Sequence, residues 1–152
     1  TWREPHVVIL PDGRWVAVLR VASFKWGRNK QDVFVSAYVS RSIDQGRTWT
    51  PPRPLTLGVE AQTAVLPDGT LFIGTRKYNQ SYYWLSDDGG DTFFVQGTVY
   101  DGPELAPGRK DIVGTPRPVM IDNDTVLTVT DAPGPQVMSS GPIHVRYLRR
   151  TR

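Results

Sequence analysis

The 152-residue chain has 39% hydrophobic and 22% charged residues, a composition typical of a folded globular protein and not of a disordered one. It contains no cysteine, which excludes disulfides and thiolate metal sites, and no apolar stretch long enough to cross a bilayer. The net charge of +3 is spread along the chain except for a basic run at its end, and no nucleic-acid-binding module is recognisable, so nucleic acid is not an expected partner.

The sequence repeats itself at a long, regular interval. Residues 4–20 (EPHVVILPDGRWVAVLR) resemble residues 60–76 (EAQTAVLPDGTLFIGTR), and residues 115–131 (TPRPVMIDNDTVLTVTD) form a weaker third copy. Each copy predicts two short strands around a tight turn, because Pro fixes one φ and Gly permits a positive one. One turn position coincides in the three copies: Gly13, Gly69 and Asp124. The register defines three units: 1–55, 56–110 and 111–152.

A second element follows the hairpin in the first two units. Strands predicted at 33–40 and 81–85 lead into two octets, 42–49 (SIDQGRTW) and 86–93 (SDDGGDTF), which both fit S-x-D-x-G-x-T-[WF]. We expect the Asp to accept hydrogen bonds from turn amides, the Gly to permit the tight backbone and the aromatic residue to pack under the sheet. The positions assigned this structural role are Ser42, Asp44, Gly46, Thr48, Trp49, Ser86, Asp88, Gly90, Thr92 and Phe93.

The third unit has the hairpin and a predicted strand at 144–148 but no octet.

The two octets resemble the Asp-box, or BNR repeat, of sialidase-like β-propellers. This resemblance implies an all-β protein of three four-stranded antiparallel blades, half of a six-bladed ring. Three blades cannot close a ring, and an open arc would expose apolar faces. We therefore expect the partner to be either the remaining blades of a longer polypeptide or a second copy of the chain in a homodimer. The first residue is Thr, not Met, which suggests an excerpt or a processed product.

The hairpin geometry places two charged pairs away from the octets. Glu4 lies nine residues before Gly13 and Arg20 lies seven after it, so both are expected at the open end of the hairpin, close together. Glu60 and Arg76 repeat this spacing around the second turn. These residues can form ion pairs repeated only because the blade repeats, or they can form a site that faces a central cavity.

The sialidase resemblance implies roles for these positions. Glu4 would act as a general base or activator, Arg20 and Arg76 would hold the substrate carboxylate with Arg117 as a third candidate, and Glu60 would also bind substrate. Either Asp32, which lies in the corresponding kind of loop, would be the catalytic Asp, or that residue would come from a blade outside this chain. The family's nucleophilic Tyr, however, sits at the Glu-equivalent position of a later blade, which Glu60 and Thr115 occupy here.

The segment 21–32 is longer than its counterpart in the second unit and contains Trp26. This aromatic residue would either stack on a sugar or pack on the neighbouring blade. The two histidines, His6 and His144, show no metal-ligand spacing, so no metal and no cofactor is expected.

Two functions are compatible with the sequence. One is a sialidase-like glycoside hydrolase that removes a terminal, acidic sugar, and the other is a non-catalytic glycan-binding or scaffold propeller. The preserved Glu and Arg spacing favours the hydrolase, whereas the absent Tyr favours the second interpretation. In both cases carbohydrate is the expected ligand, and a secreted or periplasmic location is favoured.

Overall fold

The computed structural model describes residues 2–24, 32–57, 59–77, 80–101, 115–123, 125–133 and 140–149. The regular secondary structure in these ranges is entirely β-strand, and they contain no helix that could span a membrane. The strands in chain order are β1 Trp2–Ile9, β2 Trp15–Phe24, β3 Asp32–Ser42, β4 Arg53–Leu57, β5 Val59–Val65, β6 Leu71–Lys77, β7 Gln80–Ser86, β8 Val95–Asp101, β9 Arg117–Met120, β10 Thr125–Pro133 and β11 Ser140–Arg149.

The strands form three antiparallel sheets in which neighbours in sequence are neighbours in space. Sheet one contains β1–β4, sheet two contains β5–β8 and sheet three contains β9–β11. The strands predicted at 33–40, 81–85 and 144–148 are confirmed as β3, β7 and β11, each longer than expected. Sheets one and two have the predicted four strands, whereas sheet three has three within the described ranges.

The same turn connects the first two strands of all three sheets. The amide of Leu10 donates to the carbonyl of Arg14 at 2.8 Å, and the matching bonds in the other sheets are Leu66 to Thr70 (2.8 Å) and Ile121 to Thr125 (3.0 Å). Gly13 and Gly69 adopt φ values of 85° and 89°, the left-handed region that the Pro-Asp-Gly sequence predicts. These three bonds define which residues of the three sheets are structurally equivalent: Leu10, Leu66 and Ile121 occupy the same position.

Sheets one and two pack face to face through a buried apolar cluster. Sheet one contributes Leu10, Val16, Val18, Ala37 and Val39, and sheet two contributes Ala61, Leu71 and Ile73. The contributing residues alternate along each strand because successive side chains of a strand point to opposite faces. Burying these side chains removes apolar surface from water and holds the two sheets together.

The other face of sheet two packs on sheet three. Phe72 lies between Leu71 and Ile73 in sequence and therefore faces the opposite way, where it is fully buried with Leu66 and Val126. Its ring stacks on that of Tyr83 at 5.9 Å between centroids. Sheet two is thus the middle layer, covered on both faces.

Candidate functional site

The two ends of sheet one carry different kinds of residue. At one end Trp15 pairs with Ile9 on β1 and with Ser42, the first residue of the first octet. At the other end Val21 pairs with Trp2. We call the first the turn end and the second the site end, because the catalytic residues predicted from the sequence lie there.

Glu4 and Arg20 meet at the site end of sheet one. Arg20 Nη1 donates to both carboxylate oxygens of Glu4, at 2.9 and 3.1 Å. The Arg20 side chain is only 13% exposed, whereas that of Glu4 is 43% exposed. The guanidinium is thus held in place by the fold while its carboxylate partner stays in contact with solvent, an arrangement that can receive an anionic group.

The backbone at Glu4 is unusual for a strand. The register of β1 against β2 shifts between Arg3 and His6, which marks a β-bulge, and Glu4 adopts a φ of 49°. A non-glycine residue in the left-handed region is strained by roughly 1–2 kcal/mol. Bulges and strained residues are enriched next to active sites because they re-aim a side chain. Nothing in the sequence around Glu4 predicts this conformation.

Sheet two repeats part of the arrangement. Arg76 pairs with Val59 as Arg20 pairs with Arg3, and a second register shift separates Val59 from Gln62. Glu60 lies inside this second bulge, but its side chain is outside the described part of the structure. Arg76 is half-buried. The repeat therefore places a second guanidinium at the site end of the neighbouring sheet.

The remaining candidates are placed differently. Arg117 begins β9 and is exposed, four residues before Ile121, so its register position is that of His6 and not that of Arg20. Asp32 begins β3 and pairs with Phe24 at the site end, and its side chain is outside the described part. Trp26 lies outside the described residues altogether. The structure thus brings Glu4 and Arg20 together and leaves Arg117 in another register position.

Two aromatic residues at the site end, Trp2 and Tyr82, were not assigned a role from the sequence. Trp2 packs edge-on against Tyr38, with 5.4 Å between ring centroids, and Tyr82 donates a hydrogen bond from its hydroxyl to Gln80 Oε1. Tyr82 belongs to β7, whose partner across the ladder, Thr75, directly precedes Arg76. Neither position carries a sequence signal, because the strand pairing alone brings these rings to the site end.

The octets lie at the turn end and form closed hydrogen-bond networks. In the first, Ser42 Oγ accepts the Gly46 amide (2.8 Å) and donates to Asp44 Oδ1 (2.7 Å), and the Thr48 amide and hydroxyl donate to Asp44 at 2.8 and 2.6 Å. Trp49 donates from Nε1 to the Gly46 carbonyl. Because the side chains of Ser42, Asp44 and Thr48 bond to one another or to turn amides, the network serves the fold and leaves little to offer a substrate.

The second octet repeats the network. Ser86 Oγ accepts the Gly90 amide at 2.7 Å and donates to Asp88 Oδ1 at 2.7 Å, and the Thr92 hydroxyl donates to Asp88 Oδ2 at 2.6 Å. Phe93 packs on the cluster between sheets one and two and meets Trp84 edge-on. Trp49, its counterpart in the first octet, is 40% exposed.

Both octet carboxylates are stabilised in the charged form. The hydroxyl and amide of Thr48, with the hydroxyl of Ser42, lower the pKa of Asp44 from 3.8 to about 2. Burial acts to raise the pKa of Asp88, but the bonds from Thr92, Ser86 and the Asp91 amide outweigh it and hold that pKa well below its usual value. Such fully bonded carboxylates are poor proton donors or acceptors near neutral pH.

A histidine joins sheets one and two. The Thr63 amide donates to His6 Nδ1 at 3.1 Å, and the Thr63 hydroxyl also contacts this nitrogen. Burial lowers the pKa of His6 below 6.5. Accepting the amide requires an unprotonated Nδ1, so the contact and the lowered pKa both describe a neutral, structural histidine. Within the described ranges no three His, Cys, Asp or Glu side chains cluster closely enough to hold a metal ion.

Comparison with solved structures identifies the fold. Of 23 similar chains, one is Hadza microbial sialidase Hz136, at 20% sequence identity and a TM-score of 0.54. The alignment covers 86% of this chain and 32% of that one, so the chain spans about a third of the sialidase's length. The protein therefore has a sialidase-like, all-β fold. No protein-family model matches the chain, and no curated protein does.

Proposed function

We propose that the chain is part of a sialidase-like glycoside hydrolase that acts from the end of a glycan on a terminal, acidic sugar. The observation that carries this proposal is the ion pair between Glu4 and Arg20 at the site end of sheet one, on a bulged strand with a left-handed Glu4. Strained backbone conformations are enriched at functional sites, which favours a site over an ion pair that serves stability alone. The sialidase-like fold supports the same conclusion at the level of architecture.

Arg20 would bind the sugar carboxylate in this proposal. Its planar guanidinium can form two parallel hydrogen bonds to a carboxylate, and its mostly buried side chain holds that plane in a fixed orientation. Arg76, one sheet away at the same end, would be the second carboxylate ligand. Arg117 is the weaker third ligand, because its register position differs.

Glu4 would serve as the general base or activator of the nucleophile. Its carboxylate is the more exposed partner of the pair, so it can reach a reacting group while the hydrogen bonds from Arg20 keep it oriented. The proposal keeps Asp32 as the acid, and Glu60 and Trp26 as further substrate contacts. It assigns no nucleophile, because Glu60 and Thr115 stand where the resemblance would place a Tyr.

A non-catalytic glycan-binding or scaffold role is the second candidate. The observation that favours it is that both carboxylate oxygens of Glu4 already accept hydrogen bonds from Arg20 Nη1, as in a purely structural pair. A substrate carboxylate would have to compete with Glu4 for the same guanidinium nitrogen.

The test combines a turnover assay on a fluorogenic sialoside with a binding measurement by ligand-observed NMR on free sialic acid. For a hydrolase we expect Glu4→Gln to lower turnover by about 10²–10⁴-fold, as removal of a general base does. Arg20→Lys should weaken sugar binding about tenfold, because an ammonium cannot form the bidentate contact. Arg53→Lys, at an exposed arginine remote from the site end, is the matched control and should change neither value.

The outcomes separate the candidates. Turnover that survives Glu4→Gln unchanged would remove Glu4 from the chemistry. Binding that depends on Arg20 without any turnover would support the glycan-binding role. A correctly folded chain that neither binds nor cleaves would leave the scaffold role.

A further inference from the structure

Within the described part of the chain, sheets one and three each have one apolar face on which no other sheet packs. We call these the outer faces and define them by their exposed or half-exposed side chains. The outer face of sheet one presents Pro5, Val7, Ile9, Leu19 and Trp49. The outer face of sheet three presents Val119, Ile121, Leu127, Val129, Val145 and Tyr147. Apolar surface of this extent usually marks an interaction site.

The repeat shows what each outer face is built to contact. The turn bonds align Leu10 of sheet one with Ile121 of sheet three. In this register Val16 and Val18 match Leu127 and Val129. Leu10, Val16 and Val18 are the residues with which sheet one packs on sheet two. The outer face of sheet three is therefore equivalent to the face of sheet one that packs on sheet two.

The outer face of sheet one repeats the opposite surface. Ile9 and Ala17 match Val65 and Ile73 of sheet two, which are the residues that receive sheet one. Trp49 matches Phe93, which packs into the same cluster. A cleft of about 540 Å³ lies over this face, lined by residues that include Ala17, Leu19 and Trp49. The cleft is the open half of a sheet-to-sheet interface.

Charged residues at the turn end indicate which sheet can pack on the outer face of sheet one. Where sheet one packs on sheet two, Arg41 donates from Nη1 to Asp91 at 2.6 Å. In the octet of sheet one, Arg47 occupies the position that Asp91 occupies in the octet of sheet two. In sheet three, Tyr147 is equivalent to Arg41. Arg41 pairs with Val16, and Tyr147 pairs with Leu127, the equivalent of Val16. An aromatic ring accepts a guanidinium favourably, whereas an arginine at position 147 would repel Arg47.

A nearby cation does not oppose this match. Arg149 occupies the register position of Ile43, whose side chain is 84% exposed although sheet two covers that side of sheet one. Arg149 would likewise remain in water. In the existing interface, Asp91 of the second octet faces Arg41. At the outer face of sheet one, Arg47 of the first octet would face Tyr147 on the outer face of sheet three, which is a complementary pair.

We propose that two copies of this chain associate, with the outer face of sheet three in each copy packed on the outer face of sheet one in the other. A second copy covers both outer faces at once, through the same contact made twice about a twofold axis, and gives six stacked sheets. This inference does not depend on the proposed enzymatic function.

The experiment is the solution mass of the full chain by light scattering on a gel-filtration column, over a concentration series. The expected mass is twice 17.0 kDa. Val145→Glu places a charge in the outer face of sheet three and should shift the protein to monomer. Phe94→Glu is the matched control, since Phe94 is 50% exposed and directly precedes β8 of the middle sheet, and this variant should remain a dimer. Circular dichroism confirms that each variant is folded.

A charge-swap pair tests the orientation. Tyr147→Arg should weaken dimerisation by at least about tenfold through repulsion from Arg47 of the partner subunit. Adding Arg47→Asp should restore it, because the pair then reproduces Arg41 with Asp91. A folded wild-type monomer would overturn the proposal and point to sheets of another polypeptide as the occupant. A dimer that survives both Val145→Glu and Tyr147→Arg uses another surface and would also overturn it.

Discussion

Arg41 of sheet one holds the second octet through Asp91. Its Nη1 donates to Asp91 Oδ1 at 2.6 Å and its Nε donates to the Gly89 carbonyl at 2.8 Å. Arg53 reaches the same carboxylate at 2.8 Å. The network inside an octet and the contact between sheets are therefore one structure, because the residue that follows the octet glycine is the anchor for the neighbouring sheet.

The two arginines should contribute unequally to stability. Arg41 is 14% exposed and Arg53 is 52% exposed. We expect Arg41→Met to lower the free energy of unfolding by about 2 kcal/mol, because charge-assisted bonds to a carboxylate and a carbonyl are lost. Arg53→Met should cost less than about 1 kcal/mol, since an exposed ion pair contributes little. Chemical denaturation measures both, and equal effects would contradict the larger contribution assigned to Arg41.

The octet carboxylates should make the fold sensitive to acid. The folded pKa of Asp44 is about 2, against 3.8 without its bonds, and that of Asp88 is also lowered. These carboxylates stabilise the fold above pH 3.8, and this contribution is lost as the pH falls towards the folded pKa values. The melting temperature of the wild type should therefore fall between about pH 4 and about pH 2.

A variant isolates the Asp88 contribution. Asp88→Asn should melt at a lower temperature than the wild type at about pH 5, and its melting temperature should vary less with acidification. Asp12→Asn is the control, because the Asp12 pKa is also lowered, but by the amide and the side chain of Arg14 and not by an octet network. An Asp88→Asn curve parallel to that of the wild type would refute the role of this carboxylate.

Gln45 occupies a backbone conformation suited to glycine. Its φ is 61°, and the matching residue of the second octet is Gly89, with a φ of 73°. We expect Gln45→Gly to raise stability by about 0.5–1 kcal/mol, because the left-handed strain is relieved. Gln45→Ala keeps the strain and should bring no gain.

The reverse change tests the same idea in the second octet. A Cβ at Gly89 would lie 2.7 Å from Leu10 Cδ1, in addition to the positive φ. Gly89→Gln should therefore destabilise the fold by about 2 kcal/mol. Thermal unfolding of the variants gives the comparison, and an equally stable Gly89→Gln protein would show that neither the positive φ nor the contact with Leu10 lowers stability.

The contact between sheets two and three depends on a glycine. A Cβ at Gly74 would lie 2.5 Å from the carbonyl oxygen of Pro116, which is backbone and cannot rotate away. We expect Gly74→Ala to separate the two sheets locally and to cost about 2 kcal/mol or more. At Gly97 the three nearest atoms all belong to the ring of Tyr83, which is a side chain and not backbone, so Gly97→Ala should cost less. Chemical denaturation of both variants provides the measurement.

The sequence by itself determined the elements and their repeat. Pro-Asp-Gly fixes the turns at Gly13 and Gly69 because it selects their φ values locally, and the octets specify closed networks whose donors and acceptors lie within a few residues. The same spacing predicts that Glu4 and Arg20 meet, since a regular hairpin register would place them opposite each other; the side chains do meet, although the bulge puts Arg3 opposite Arg20 in the ladder. These features are local, and local features can be read from residue order.

The tertiary structure decided what depends on contacts between distant residues. The left-handed Glu4, the hold of Arg41 on Asp91 and the neutral His6 against Thr63 all arise from sheets that meet across more than 45 residues or from a bulge without a sequence signature. The apolar pattern of sheet three predicts a buried face but not what buries it. Which faces are covered is decided by stacking, because side chains alternate between two faces and only packing shows which of them meets a neighbour.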